Sequence, residues 1–244
     1  MISKILVNIG LPDEIKTANI GSLLHGCLME WLPEETVSFL HQYSTYSPLK
    51  QRLLLNDKKV QWEIVVFNDI LFNQIEQTLT LRKSFRLHYN QKEITIEKIE
   101  IQQLAIEELV KKYFSMQEVP RYARLNIQSP TSFKSNGQYD IFPDLKKIFR
   151  SIMRNTDTFF PEYRLFDGDT LEYLVSKTKI VNYQLRSTKF HLEGIKIPSF
   201  QGNFTVQLNG PLPVKQLSYF LLTFGQWTGI GVKTSLGMGK YFLE

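Results

Sequence analysis

The chain carries four histidines, His25, His41, His88 and His191, and a single cysteine, Cys27. A histidine titrates near neutrality and can give or take a proton. None of the four stands in an HExxH arrangement, and no DxD-type carboxylate cluster accompanies them. Paired-ligand metal chemistry therefore has no motif here, and neither a metal nor a cofactor is expected. What remains open is acid–base work on a substrate that carries its own nucleophile, as RNA does in its 2′-hydroxyl. His41 closes an apolar helical pattern and is followed by the polar stretch Gln42-Tyr43-Ser44-Thr45-Tyr46. It reads either as a working histidine at a helix end or as one packed beside Val37 and Leu40 near the last carbonyls. His25 lies off the apolar stripe of its helix, beside Gly26. Cys27 lies on that stripe, so it reads as a buried, inert thiol; His25 and Cys27, two residues apart, point away from each other.

The second chemical feature is near the C-terminus. Gly229, Gly231, Gly237 and Gly239 fall within the stretch GIGVKTSLGMG, with Lys233, Thr234 and Ser235 between the pairs. Such a loop reaches backbone conformations closed to other residues and can turn N–H groups toward an anion. It follows a helix and enters a strand, which is the wrong context for a nucleotide P-loop or a dinucleotide fingerprint. A glycine-rich turn that lets the last strand pack is the other reading.

The elements that must place these residues follow from periodicity. Ile5, Val7 and Ile9 alternate as a strand. Ile20, Leu23, Leu24, Cys27, Leu28, Trp31 and Leu32 recur at helical spacing. Pro33 opens a short second helix ending at His41, and Tyr43 to Lys50 reads as a loop. A hairpin over Leu53–Val66, turning at Asn56-Asp57-Lys58, precedes a helix over Asp69–Leu79. Strands at 85–89 and 94–101 and a helix at 105–114 complete the first half. The second half repeats the order: a strand over Tyr122–Ile127, helices from Pro143 and Asp169, strands over 181–192 and 195–208 turning at Gly194, a helix from Pro213 and a last strand. Each half approximates βαββαβ, the ferredoxin-like unit. The fold class is α+β, two tandem ferredoxin-like domains, 1–118 and 119–244, parted around Ser115–Pro120.

With 43% hydrophobic and 22% charged residues the composition is that of an ordinary globular protein. The net charge of +5 and pI near 9.1 permit a nucleic-acid partner without requiring one. No apolar run spans a membrane and no signal peptide is evident, so a soluble cytoplasmic protein is expected. Arg121, Arg124 and Lys134 lie near a basic helix face containing Lys146, Lys147, Arg150 and Arg154. Together they read as a phosphate track or as solvated surface.

The pattern G-I-G-x5-G-M-G close to the C-terminus, the chain length and the early His41 resemble the CRISPR-associated endoribonucleases that cut precursor CRISPR RNA within its repeats. The resemblance covers the whole chain. It implies two ferredoxin-like domains with RNA across their basic face and cleft. It implies metal-independent cleavage by the 2′-hydroxyl, leaving a 5′-hydroxyl and a 2′,3′-cyclic phosphate. It makes His41 the catalytic histidine. Members of this family often carry a tyrosine on the first helix; the corresponding positions here hold His25 and Met29, so His25 either replaces it or is structural. Lys50 becomes a candidate for stabilising the phosphate. Lys233, Gly229, Gly231, Gly237, Gly239, Arg121, Arg124, Lys134, Arg150 and Arg154 become candidate RNA contacts. The LHG and FLHQYS stretches look most like members serving type III effector complexes. A monomer or homodimer is expected. The alternative is a non-catalytic repeat-RNA-binding subunit; a third class is an enzyme that binds a small phosphorylated ligand at the glycine loop.

Overall fold

The computed structural model describes residues 1–12, 20–43, 46–56, 59–87, 91–192 and 194–244. His88, Tyr89 and the turn residues Asp57 and Lys58 lie outside them. The chain divides into two compact units. One holds Met1–Leu104 with His191–Ile195 and Ser235–Gly237; the other holds Ala105–Phe190, Lys196–Thr234 and Met238–Glu244. The division falls at 104/105, ahead of the helix Ile106–Phe114 rather than after it. That helix packs on the last long helix of the second unit, where the Gln216 amide donates to the carbonyls of Phe114 and Met116.

The first unit runs β1 (Ile2–Gly10), α1 (Ile20–Trp31), α2 (Glu34–His41), β2 (Leu49–Asn56), β3 (Lys59–Val66), α3 (Asp69–Thr80), β4 (Ser84–Arg86) and β5 (Glu93–Leu104). Its sheet has the order β2-β3-β1-β5-β4. With β4 set aside as an added edge strand, this is the ferredoxin-like βαββαβ arrangement. Ile5 pairs with Ile64, Val7 with Trp62 and Ile9 with Val60, so one sheet face is apolar. Onto the same core go Leu24, Cys27 and Leu28 of α1 and Leu71, Phe72, Ile75 and Leu79 of α3. Asn68 caps α3 by accepting from the Leu71 amide at 2.9 Å.

Inside this apolar layer sits one amide. Gln51 is fully buried; its Nε2 donates to the Gly21 carbonyl at 2.8 Å, and its Oε1 accepts from the Trp62 indole at 2.8 Å. It fastens the start of α1 to two strands. On the other face of β2 and β3, Arg52 and Glu63 form a buried ion pair.

The second unit contains α4 (Ile106–Phe114), β6 (Tyr122–Thr131), β7 (Phe133–Ser135), β8 (Gln138–Asp140), α5 (Leu145–Phe159), α6 (Gly168–Ser176), β9 (Thr178–Leu192), β10 (Ile195–Leu208), α7 (Leu212–Thr228) and β11 (Tyr241–Leu243). The sheet order β11-β6-β10-β9 repeats that of the first unit. Leu125 pairs with Phe204, Ala123 with Val206 and Ile127 with Tyr241, all buried. The Tyr241 hydroxyl donates to the Leu222 carbonyl, which puts α7 on this face. Tyr122 and Arg124 alternate with them and are exposed on the opposite face. The short β7–β8 hairpin has no apolar alternation in its sequence and is an addition to the predicted order.

Gln51→Leu leaves the Trp62 indole without its partner and removes the side-chain tie to the Gly21 carbonyl, which keeps its bond within α1. Each unpaired buried polar group costs about 1–3 kcal/mol, so urea denaturation should show a loss of stability on that scale. Wild-type stability in this variant would mean that α1 is held by apolar packing alone.

Candidate active site

The helix–helix corner after β1 places the two histidines. α1 buries Ile20, Gly21, Leu24, Cys27 and Leu28, which leaves His25 on the edge of that stripe. α2 buries Leu40 and ends at His41, whose side chain is exposed rather than packed beside Val37 and Leu40. The His41 side chain makes no hydrogen bond among the described residues. His25 is half-buried, and its Nδ1 is sealed from solvent with no hydrogen-bond partner. Burial first, and the charge of His41 second, lower the His25 pKa to about 4. The two imidazoles therefore share one electrostatic site: one neutral and tucked in, the other open to solvent.

Cys27 does not join them. It is buried, its thiol faces the Arg86 carbonyl at 3.9 Å, and burial with the nearby Glu30 raises its pKa to about 11. A thiol held protonated in this way is not a nucleophile.

Lys50 is placed differently from the sequence reading. It lies not in a loop but in β2, opposite Val65. Alternation turns it to the face opposite Gln51, and Gln51 is the residue that reaches α1. Lys50 is 1% exposed, and burial together with the Arg52 charge lowers its pKa to about 7. The structure thus brings His25 and His41 together and sets Lys50 on the other side of the sheet, beside Arg52. The polar string Lys50-Gln51-Arg52 hid the start of this strand, read from Leu53 onward, because these side chains are buried by tertiary packing and not by an apolar pattern.

The glycine loop is more occupied than a free anion nest. Ile230 N donates to the Gly239 carbonyl at 2.9 Å, Val232 N to Ser132 at 2.9 Å and Gly239 N to Pro130 at 3.1 Å. A Cβ on Gly231 would run into the Ser132 carbonyl, and one on Gly239 into the Ile230 carbonyl; both have positive φ, +82° and +80°. These glycines are needed for backbone-to-backbone packing inside the second unit, along with Gly229 at φ +70°. Gly237, at φ +116°, belongs to the stretch that clusters with the first unit. There the Leu236 carbonyl lies 2.7 Å from where a Cβ on Gly21 would be, one turn of α1 before His25. Lys233 stands exposed at the loop, in the left-handed region at φ +56°.

The remaining basic candidates do not form one track. Arg121 and Arg124 are exposed with the open sheet face; Arg124 meets Glu244 at 3.6 Å and Arg121 lies over Tyr122. Arg150 and Arg154 ride the outer side of α5, whose inner side packs into the helix layer across the sheet. Arg154 lies 3.6 Å over the Phe166 ring, Lys146 pairs with Glu172, and Lys147 pairs with Asp140 and Asp144. One charge set is on the open sheet face and the other is on the outer side of α5. Lys134 is exposed with its ammonium over Tyr139. Among the described residues no group of three or more His, Cys, Asp or Glu side chains is placed to hold a metal ion, and no helix is long and apolar enough to cross a membrane.

The histidines of the first unit and the glycine-rich loop ahead of the last strand of the second are the features on which the resemblance in sequence rested, and the two ferredoxin-like units are what it implied. Residues 125–241 match the family described as CRISPR-associated endoribonuclease Cas6. The Streptococcus thermophilus protein of that name is 35% identical over 220 residues, covering 90% of this chain and 89% of its own. A Mycobacterium tuberculosis (strain H37Rv) protein of the same name is 24% identical over 229 residues, covering 93% of this chain and 72% of its own. In fold, the chain is similar to a solved Cas6 product complex with a TM-score of 0.82 at 17% identity, each chain covered fully. A Thermus thermophilus Cas6 structure gives 0.77 at 16% identity, covering 100% of this chain and 98% of that one. The chain belongs to the CRISPR-associated endoribonuclease Cas6 family.

The loop geometry separates two effects. Gly239→Ala forces a side chain into the Ile230 carbonyl and should destabilise the fold by about 1–3 kcal/mol or more, as strained backbone does. Lys233→Ala should leave the melting temperature unchanged while weakening RNA binding and reducing its salt dependence by about one contact. Thermal melts and titrations at several salt concentrations check both; equal effects on melting would contradict the assignment.

Proposed function

We propose that this chain is a metal-independent endoribonuclease that cuts precursor CRISPR RNA within its repeats. The observation that carries the reading is the solvent-facing His41 at the end of α2, set beside a half-buried, neutral His25. The 2′-oxygen upstream of the scissile phosphate attacks phosphorus, and the bond to the 5′-oxygen breaks. One proton leaves the 2′-hydroxyl and one is delivered to the departing 5′-oxygen, giving a 2′,3′-cyclic phosphate and a 5′-hydroxyl. His41 is the proton carrier. His25 is uncharged above about pH 4, so it puts no like charge beside His41. Lys233 and the open sheet face with Arg121 and Arg124 hold RNA phosphates. The product passes to a type III effector complex.

His41→Ala should lower single-turnover cleavage by roughly 10²-fold or more, the scale of a lost acid or base, with repeat binding close to wild type. Cleavage should persist in excess EDTA and should stop with a single 2′-deoxy nucleotide upstream of the scissile phosphate. EDTA sensitivity together with cutting of the deoxy substrate would overturn the mechanism, and binding without cleavage in the wild type would make the chain a repeat-holding subunit.

His25 also gives a pH signature. Its folded pKa of about 4 lies below the unfolded value near 6.5. Between these values the unfolded chain binds the extra proton, so stability rises with pH across that window. The contribution is complete above about pH 6.5 and is lost as the pH falls toward 4. His25→Gln should flatten the slope of unfolding free energy between those limits; an unchanged slope would assign it to other groups.

A further inference from the structure

The strand β9 forms one edge of the second sheet. Four consecutive residues, Val181, Asn182, Tyr183 and Gln184, are exposed, so both faces of the strand are uncovered there. Tyr183 is 60% exposed, and beside it stands Phe142, 51% exposed, at the approach to α5. The two rings meet edge to face, with centroids 5.4 Å apart and planes at 87°. Large aromatic side chains left in water in contact with each other mark an interaction surface more often than isolated ones do. A T-shaped pair occupies one π-face of the ring that receives the edge and leaves at least one face of each ring unused by the pair.

The charge around the pair selects the partner. β9 contains Lys179, Arg186 and Lys189, all exposed, and no carboxylate along Thr178–Leu192. Lys179, Val181 and Tyr183 share one face by alternation. Asp140 and Asp144, which flank Phe142 in sequence, are both ion-paired to Lys147. A second copy paired along β9 would bring a strand with Lys179, Arg186 and Lys189 and no carboxylate against an identical one, so none of these cations would meet an opposite charge on the partner strand. A polyanion with flat apolar groups fits: phosphates for the cations and bases for the rings. This is the arrangement by which proteins hold single-stranded nucleic acid without reading its sequence.

We infer that the Phe142–Tyr183 pair on the β9 edge is a stacking site for single-stranded RNA flanking the repeat. This rests on the RNA-processing reading above. The site lies outside the histidine constellation, so it adds affinity for the longer precursor transcript and leaves the cleavage step itself alone. Any base can stack on a ring, so its preference is for unpaired RNA over paired RNA and not for a sequence.

The test compares two RNAs, a bare repeat and the same repeat extended by an unpaired flank on each side. Wild-type protein should bind the extended RNA about tenfold more tightly, roughly the effect of one base stacked on an aromatic ring. Phe142→Ala and Tyr183→Ala should each remove most of that gain and leave bare-repeat cleavage unchanged. Lys179→Gln should lower the salt dependence of the extended RNA only. A flank carrying 4-thiouridine should crosslink to the peptide containing Tyr183. Normal cleavage of the bare repeat with no gain from the flank, or a gain that survives both alanine variants, would overturn the stacking site and leave the nuclease reading intact. It would then point to a protein strand as the occupant of β9. Failure to bind either RNA would instead remove the nuclease reading on which the inference rests.

Discussion

The first unit depends on a single buried amide. Gln51 sits in an apolar layer and satisfies both ends of its side chain, the Gly21 carbonyl on one side and the Trp62 indole on the other. A buried amide with unmet partners would destabilise this core; with both met, it fixes direction as apolar contacts do not. The start of α1 is held at one height over β2 and β3. The same residue, Gly21, is where α1 comes against Leu236 of the glycine-rich stretch. His25 stands one turn further along this helix, so its position is set from the strand beneath.

The histidines show how one corner of a fold produces two different imidazoles. His25 loses water to its neighbours and becomes a weak base; His41, at the exposed end of a short helix, keeps its solvent. No metal-ligand grouping is needed for this contrast, since burial and one neighbouring charge suffice. A substrate that brings its own nucleophile asks only for placement and proton transfer, and a pair of unequal histidines is suited to that.

The glycine loop divides its labour between its ends and its tip. Gly231 and Gly239 allow backbone to touch backbone, and their neighbours' N–H groups are already bonded, those of Ile230, Val232 and Met238 to carbonyls and that of Lys240 to the Ser129 hydroxyl. What faces outward is Lys233. The loop is first a structural join between α7 and β11, and its capacity to meet an anion comes from the side chain that this join displays.

Sequence alone determined much of this protein. Alternation at Ile5, Val7 and Ile9 and helical spacing from Ile20 to Trp31 gave the strands and helices, because one buried face imposes its period on the chain. The order of elements gave two ferredoxin-like units, and His41 with the glycine pattern gave the family. Tertiary structure decided what periodicity does not encode. Lys50 reads as the end of a polar loop, yet it lies with Gln51 and Arg52 in a strand buried on both faces, with Gln51 turned toward α1 and Lys50 away from it. Arg124 and Arg154 are both basic and both near the same helix in sequence, yet they stand on opposite sides of the helix layer. Helix 106–114 belongs to the second unit because α7 receives it. In each case the local pattern was neutral or misleading, and the deciding term was a partner distant in sequence that no local window contains.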